Sequence, residues 1–429
     1  MKSERTGRSL AVVLAAIVIL CGGLGWISTS AGQTVVRSWE FDRPGDTQGW
    51  HLGGHLGETQ VADGCLRTKV LDWDPILVHE VLEPPFPATA TQVIEVRLFA
   101  PRVGQAEFFW TNTTEGQYGG FSPGKETIFT VRPGWHTYRI RPFWQAEGQI
   151  VRLRFDLPSR EAGEDPPEYQ IDFIRIVELA SGVPPGSPEW DFSQGLAGWQ
   201  LEGDGKIWWE DGFLNAEVQP GARLVAPPIQ ADADQLAFVA MEMAVDQPGS
   251  AQLIWASGKT NGQHSQGFSL RAGGQPQVYN IPVVGASGWQ SPVVFLALEP
   301  SIQRTVRFRL KWLKLSEEPS GPPDLAVERL FVKDALPRVN KVCEVIAHLT
   351  NRGGEPVRDV RAELVLPEGV EFAEPGPTTR HLAQLEFGET ESLTWKIKSR
   401  QAGPVTLRLR IVSPNQGEDE CREVFLPDL

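Results

Sequence analysis

Methionine and cysteine are scarce in this chain, 3 and 4 of 429 residues, and helical patterning is scarcer still. Beyond the N-terminal segment no long stretch places apolar residues at helical spacing, which excludes a bundle of amphipathic helices. Clusters of Lys and Arg are missing too. The formal net charge is -14 and the basic residues are scattered, so nucleic acid is excluded as a partner, since phosphate neutralisation needs a basic patch. Motifs that carry chemistry are absent as well. There is no Gly-x-Ser-x-Gly elbow, no His-Glu-x-x-His pair and no phosphate loop. His51 and His55 are four apart, but the glycines around them disfavour the helix that would aim both at a zinc ion. A non-enzymatic protein is the expectation.

What is abundant points to β structure. The chain holds 43 Gly, 34 Pro and 15 Trp, and Gly and Pro punctuate short strands while Pro is poorly tolerated inside helices. The first 33 residues read as a signal peptide or signal-anchor helix: Lys2, Arg5 and Arg8, then an apolar run from Leu10 to Ile27, then Thr29-Ser30-Ala31 at the positions a signal peptidase reads. The rest is therefore expected to be secreted, periplasmic or displayed at the cell surface, where disulfides form. Cys343 and Cys421 lie near the two ends of the last domain and would bridge if their strands were neighbours; the alternative is two buried thiols. Cys65 is expected in a core.

The remainder is organised by a repeat. Trp39-Glu40-Phe41-Asp42, closing with Gly49-Trp50, returns as Trp190-Asp191-Phe192-Ser193, closing with Gly198-Trp199. Asp211-Gly212 answers Asp63-Gly64, and the strand ending in Trp255 answers the one ending in Trp110. Tyr279 answers Tyr138, Trp289 answers Trp144, and Leu310–Leu315 answers Ile171–Ile176. Preserved order at near-constant offset implies one module used twice. Runs rich in Pro and Gly at 181–188 and 319–323 read as linkers. The expected organisation is residues 34–180, 189–318 and 324–429 as three domains. The fold class is all-β: two tandem jelly-roll sandwiches and a C-terminal immunoglobulin-like sandwich, judged from repeated short strands between turns.

Trp39 to Trp50, Asp63-Gly64, Phe109-Trp110, Trp135 to Tyr138 and Ile171-Asp172-Phe173-Ile174 together resemble the galactose-binding-like jelly roll. This bacterial extracellular module accompanies glycoside hydrolases as a carbohydrate-binding or accessory domain. Asp324-Leu325-Ala326-Val327, Thr350 to Gly354 and Leu366 to Val370 resemble a CARDB-type, Ig-like domain of bacterial surface proteins. The first resemblance implies a polysaccharide or cell-surface glycan as partner, and the second implies contact with other envelope proteins.

Sugars are held by aromatic faces stacked on pyranose C–H groups, with polar side chains fixing the hydroxyls. Trp73, flanked by Asp72 and Asp74, has that company. Tyr118 and Phe121 stand in a Gly-rich loop, and Trp144 follows a strand end. Trp208 and Trp209 must point to opposite faces of an extended segment, which would leave one exposed. Trp39, Trp50, Trp190 and Trp199 are expected in the core. The jelly-roll resemblance also implies a structural Ca²⁺, with Asp42, Asp63 and Asp172 as the matching acids, a donor set that suits this ion. Ser193 and Lys311 replace two of them in the second module. The alternative is that Asp42 and Asp63 only cap turns. The leading functional reading is a carbohydrate-binding accessory protein. The rivals are a purely architectural envelope or adhesion protein and, more weakly, a glycoside hydrolase.

Overall fold

The computed structural model describes residues 33–161, 163–179, 188–300, 303–334 and 337–425. The expected signal segment and nearly all of the first linker lie outside them. Among the described residues the structure is all-β, with antiparallel sheets and two single-turn 3₁₀ segments. No helix among them is long and apolar enough to cross a membrane.

The first unit is a sandwich of two main sheets. One has the order Gly134–Ile140, Gln92–Ala100, Glu168–Leu179, Cys65–Lys69, Gln60–Ala62, with Gln33–Trp39 also paired to Glu168–Leu179. The other runs Trp50–Gly54, Ile76–His79, Arg152–Asp156, Gly104–Thr111, Glu126–Val131. Period-two patterning builds both. Ala106, Phe108 and Trp110 point into the core, so Glu107 and Phe109 point out. The hairpin at Asp63-Gly64 takes φ of 52° and 74°, the left-handed pair that a two-residue turn demands.

The second unit repeats this plan. Its larger sheet orders Gly205–Glu210, Phe213–Val218, Val306–Ser316, Phe238–Val245 and Gln277–Pro282. The smaller orders Gln200–Glu202, Arg223–Val225, Val293–Glu299, Gly249–Ser257 and His264–Leu270. The repeated landmarks recur as geometry. Trp39 meets Trp50 edge-on at 5.6 Å, and Trp190 meets Trp199 at 5.2 Å. Trp110 meets Trp144 at 5.8 Å, and Trp255 meets Trp289 at 5.5 Å, again edge-on. Tyr138 and Tyr279 each accept a backbone N–H through the hydroxyl, from Arg132 and Arg271 at 2.7 and 3.0 Å. Each edge-on pair adds about 0.5–1.5 kcal/mol to the area it buries.

The third unit packs Leu325–Val332, Val342–Asn351, Thr390–Ser399 and Val370–Phe372 against Thr379–Leu385, Val357–Val365, Val405–Ser413 and Gly417–Phe425. Trp395 lies at its centre. Cys343 and Cys421 face this core as thiols, not as a disulfide. Their strands are not neighbours: Val342–Asn351 pairs with Leu325–Val332 and Thr390–Ser399, while Gly417–Phe425 pairs with Val405–Ser413 in the other sheet. Burial pushes the Cys343 thiol up to about 11. Cys65 is only half-buried and lies on the outer side of its sheet, unlike the core position expected for it.

The units are pinned to one another. Asn280 brackets the second linker, accepting from the Ser320 N–H at 2.7 Å and donating to the Ser320 carbonyl at 2.9 Å. Arg271 pairs with Asp324 at 2.5 Å.

Candidate functional site

The outward face of the first unit's five-stranded sheet carries a cluster of charged and aromatic side chains. Its middle row is read from the pairing: Phe109 lies opposite Arg154, and Arg154 opposite Val78. The Arg154 guanidinium sits over the Phe109 ring at 4.8 Å. It is held there by Asp156, with Nε to Oδ1 at 2.7 Å, and by Asp74 at 3.4 Å. The next row sets Glu107 opposite Asp156, with Ile128 beyond Glu107. Glu126 stands opposite Phe109 on the outer strand.

Charge is crowded on this face. Burial raises the Asp156 carboxyl above its ordinary range despite the Arg154 partner. Burial, then the charges of Asp156 and Glu126, also raise Glu107. Glu107 and Asp156 stand side by side on an open sheet, not opposed across a cleft as a glycosidase pair would be.

Trp73 lies at the rim of this face, in the segment that leads into Ile76–His79. The residue is 67% exposed, and its ring meets His55 edge-on at 5.5 Å. Its backbone is fixed at both ends: the N–H donates to Asp72 at 2.9 Å, and the carbonyl accepts from Ser159 at 2.6 Å. Its backbone is thereby ordered, and its exposed side chain is accessible to a ligand. Asp74, next in the chain, reaches Arg154. Asp74 thus joins this face through Arg154, and Trp73 is its neighbour in the chain.

The other sequence candidates fall elsewhere. Tyr118 is 65% exposed in the loop after Gly104–Thr111. Phe121 is buried beneath the Arg152 guanidinium at 5.3 Å and presents no face to solvent. Trp144 is also a correction: it is wholly buried, donates through Nε1 to Gln92 Oε1 at 2.7 Å, and packs on Trp110. Of the Trp208–Trp209 pair, Trp209 is the exposed one. Of the three calcium candidates, Asp42 lies near enough to Asp172 that, after burial, its charge is among the causes that raise the Asp172 carboxyl. Asp63 pairs with Arg67 at 2.9 Å in the hairpin turn, and Asp172 pairs with Arg97 at 3.3 Å. Among the described residues no three His, Cys, Asp or Glu side chains converge on a metal position.

Arg154, Asp156, Phe109, Glu107 and Glu126 were not singled out by the sequence. The signal was present in the phase of Val151-Arg152-Leu153-Arg154-Phe155: with Leu153 and Phe155 inside, Arg154 must face out.

The matching face of the second unit is different in kind. By the same pairing, Ile254 stands where Phe109 does, Ala297 where Arg154 does, and Val225 where Val78 does. This apolar row is covered by the first unit. Phe143 packs into a cluster with Val225, Ile254, Ala256, Phe295 and Ala297, all buried, and meets Phe295 edge-on at 5.0 Å. Arg141 and Arg223 flank it, both bound to Glu202, at 2.6 and 2.9 Å, and both over the Phe295 ring. The two guanidinia outweigh burial and hold the Glu202 carboxyl below its ordinary range. Gln145 donates to the Ser257 and Thr260 carbonyls at 2.8 and 3.0 Å. Phe143 adopts φ of 51°, which bulky residues rarely do, and burial of its ring offsets that strain.

No protein-family model matches the chain, and no curated protein matches it. Among solved structures, the tandem CBM22-1–CBM22-2 domain of Xyn10C from Paenibacillus barcinonensis is 15% identical, with a TM-score of 0.27, over 67% of this chain and 98% of the other. The CBM1 of BiXyn10A is 13% identical with a TM-score of 0.23, over 31% of this chain and 99% of its own. The glycoside hydrolase domain of Endo-D from Streptococcus pneumoniae is 12% identical with a TM-score of 0.20, over 53% of this chain and 37% of the other. At these scores the likenesses carry no argument about ligand or reaction.

Proposed function

We propose that this is an exported, non-catalytic carbohydrate-binding protein whose ligand lies across the five-stranded sheet of the first sandwich. One observation carries the reading. That face is open, with an exposed indole at its rim and a polar row over Phe109, whereas its counterpart in the second unit is apolar and covered by Phe143. Trp73 supplies the stacking surface, and Arg154, Asp156, Asp74 and Glu107 supply the hydrogen bonds that fix sugar hydroxyls. The second sandwich acts as a support, and the third as a spacer or contact domain.

The test is affinity electrophoresis of the chain from Gln33 onward in gels containing soluble polysaccharides, beside Trp73→Ala and Arg154→Lys. Truncating a ring that anchors an interface costs about 2 kcal/mol or more, roughly thirtyfold in affinity. Retardation that Trp73→Ala abolishes and Arg154→Lys weakens is expected, since Lys keeps the charge but not the two-pronged hydrogen bonding. No retardation on any glycan, with all three proteins folded, would leave the architectural reading.

A further inference from the structure

The second unit gives up its five-stranded face, but the outward face of its larger sheet keeps a groove. One row across that face is built differently from the matching row of the first unit. Pairing sets Trp208 opposite Asn215, Asn215 opposite Arg309, and Arg309 opposite Ala244. The first unit has Gln60, Arg67, Gln170 and Phe99 at these places, with Trp135 beyond Phe99. The exchange moves the rings from one edge to the other and puts a guanidinium in the middle. Asn215 and Ala244 are short side chains on either side of Arg309, and the groove between them measures about 240 Å³. That is just under the roughly 300–1,000 Å³ of drug-sized sites and suits one sugar ring at a time. Every residue lining it belongs to the second unit.

Trp208 forms one wall, half-buried, with Lys206 over its ring at 5.4 Å and its Nε1 donating to Glu210 at 3.0 Å. Arg309 stands across Asn215 from it. Its guanidinium lies over the Phe213 ring at 5.0 Å and donates to the Gly274 carbonyl at 3.1 Å. A guanidinium has five N–H donors in a fixed fork, and no carboxylate among the described residues engages this one. The carboxylates around it are directed elsewhere. Glu217 binds Arg307 at 2.9 Å and Lys206 at 3.5 Å, and Asp246 accepts the Arg307 backbone N–H at 3.1 Å.

We propose that this groove takes a uronate ring of an acidic polysaccharide, stacked on Trp208 with its carboxylate in the fork of Arg309. Indole faces take pyranose C–H groups, and a guanidinium meets a carboxylate through two parallel hydrogen bonds. Phe213 and Gly274 orient the fork before the ligand arrives, so less order is lost on binding. In the first unit a Gln stands in the guanidinium's place. The second unit is then a binder as well as a support, through the side of its sandwich opposite the one it buries, and this site is independent of the first unit's glycan face.

The test is titration calorimetry of the chain from Gln33 onward with oligogalacturonate, its full methyl ester, a β-linked oligoglucuronate and a sulfated neutral oligosaccharide. It is repeated on Trp208→Ala, Arg309→Gln, Arg309→Lys and Trp73→Ala, with melting curves to verify each fold. At least one uronate is expected to bind, and the methyl ester to bind at least about tenfold more weakly than its acid, since a charge-assisted hydrogen bond is lost. Trp208→Ala and Arg309→Gln should each weaken uronate binding by about tenfold or more, and Arg309→Lys should restore only part of the loss, because Lys has the charge without the fork. Trp73→Ala should leave it unchanged. Should Trp208→Ala fail to fold, the two Arg309 variants decide alone. Absence of binding by both uronates, an ester that binds as well as its acid, or sulfated sugar bound as tightly as uronate would overturn the proposal. So would uronate binding that survives Arg309→Gln or that Trp73→Ala removes. None of these outcomes touches the neutral-glycan reading, which the gel retardation tests separately.

Discussion

Trp73 and Trp144 carry the same indole into opposite environments, one fixed by its backbone at a rim, the other sealed between Trp110 and Phe86. Trp144→Ala is expected to cost about 3–5 kcal/mol in chemical denaturation, and Trp73→Ala within about 0.5 kcal/mol. The sequence did hold a way to separate them. Trp144 has a counterpart in Trp289, as core tryptophans of a repeat do, whereas none of the landmark pairs includes Trp73. His79 is the other residue with a measurable signature. Its ring lies between Trp39 and Trp50, at 5.0 and 5.3 Å. Burial lowers its pKa and outweighs the pull of the Glu80 and Gln48 carbonyls at its two nitrogens, with His51 adding to the lowering. A depressed histidine pKa favours the neutral ring in the folded state. Its stabilisation is therefore present above the unfolded pKa and is lost as pH falls towards the folded one. Melting temperatures between about pH 7.5 and 5 should fall more steeply for the native protein than for His79→Gln. Parallel profiles would contradict this.

At the scale of strands and loops, the sequence pattern was a good guide to what faces inward and a poor one to what lies beyond the sheet. Alternation and the Asp-Gly turns place the strands, and the repeat places the paired tryptophans. The loop bearing Arg141, Phe143 and Gln145 is different, because nothing in its own composition says that its target is a sheet in another unit. The apolar outward row of Val225, Ile254 and Ala297 was the complementary clue, and it reads as ordinary strand hydrophobicity until the pairing is known. Likewise, Asp172 was legible as an acid, but its partner Arg97 comes from another strand. Phe143→Ala removes the ring that covers this row, and a buried Phe→Ala change costs about 3–5 kcal/mol. Calorimetric melting of the native chain is expected to show the first two units unfolding together, and the variant to show the second unit melting earlier, as a separate transition. An unchanged profile would mean that the contact contributes nothing to coupling.

For the whole molecule, the two repeated units are unequal by construction. One presents its five-stranded face, and the other gives up the same face to hold its neighbour. Two copies of a module suggest avidity on a polymer, but avidity needs two open sites, and here the second counterpart is filled. The most direct measurement is hydrogen–deuterium exchange of the chain from Gln33 onward with and without a glycan that retards it. Protection is expected in Gly104–Thr111, Arg152–Asp156 and the segment around Trp73, with none in Gly249–Ser257 or Val293–Glu299. Protection confined to the second or third unit would contradict the account.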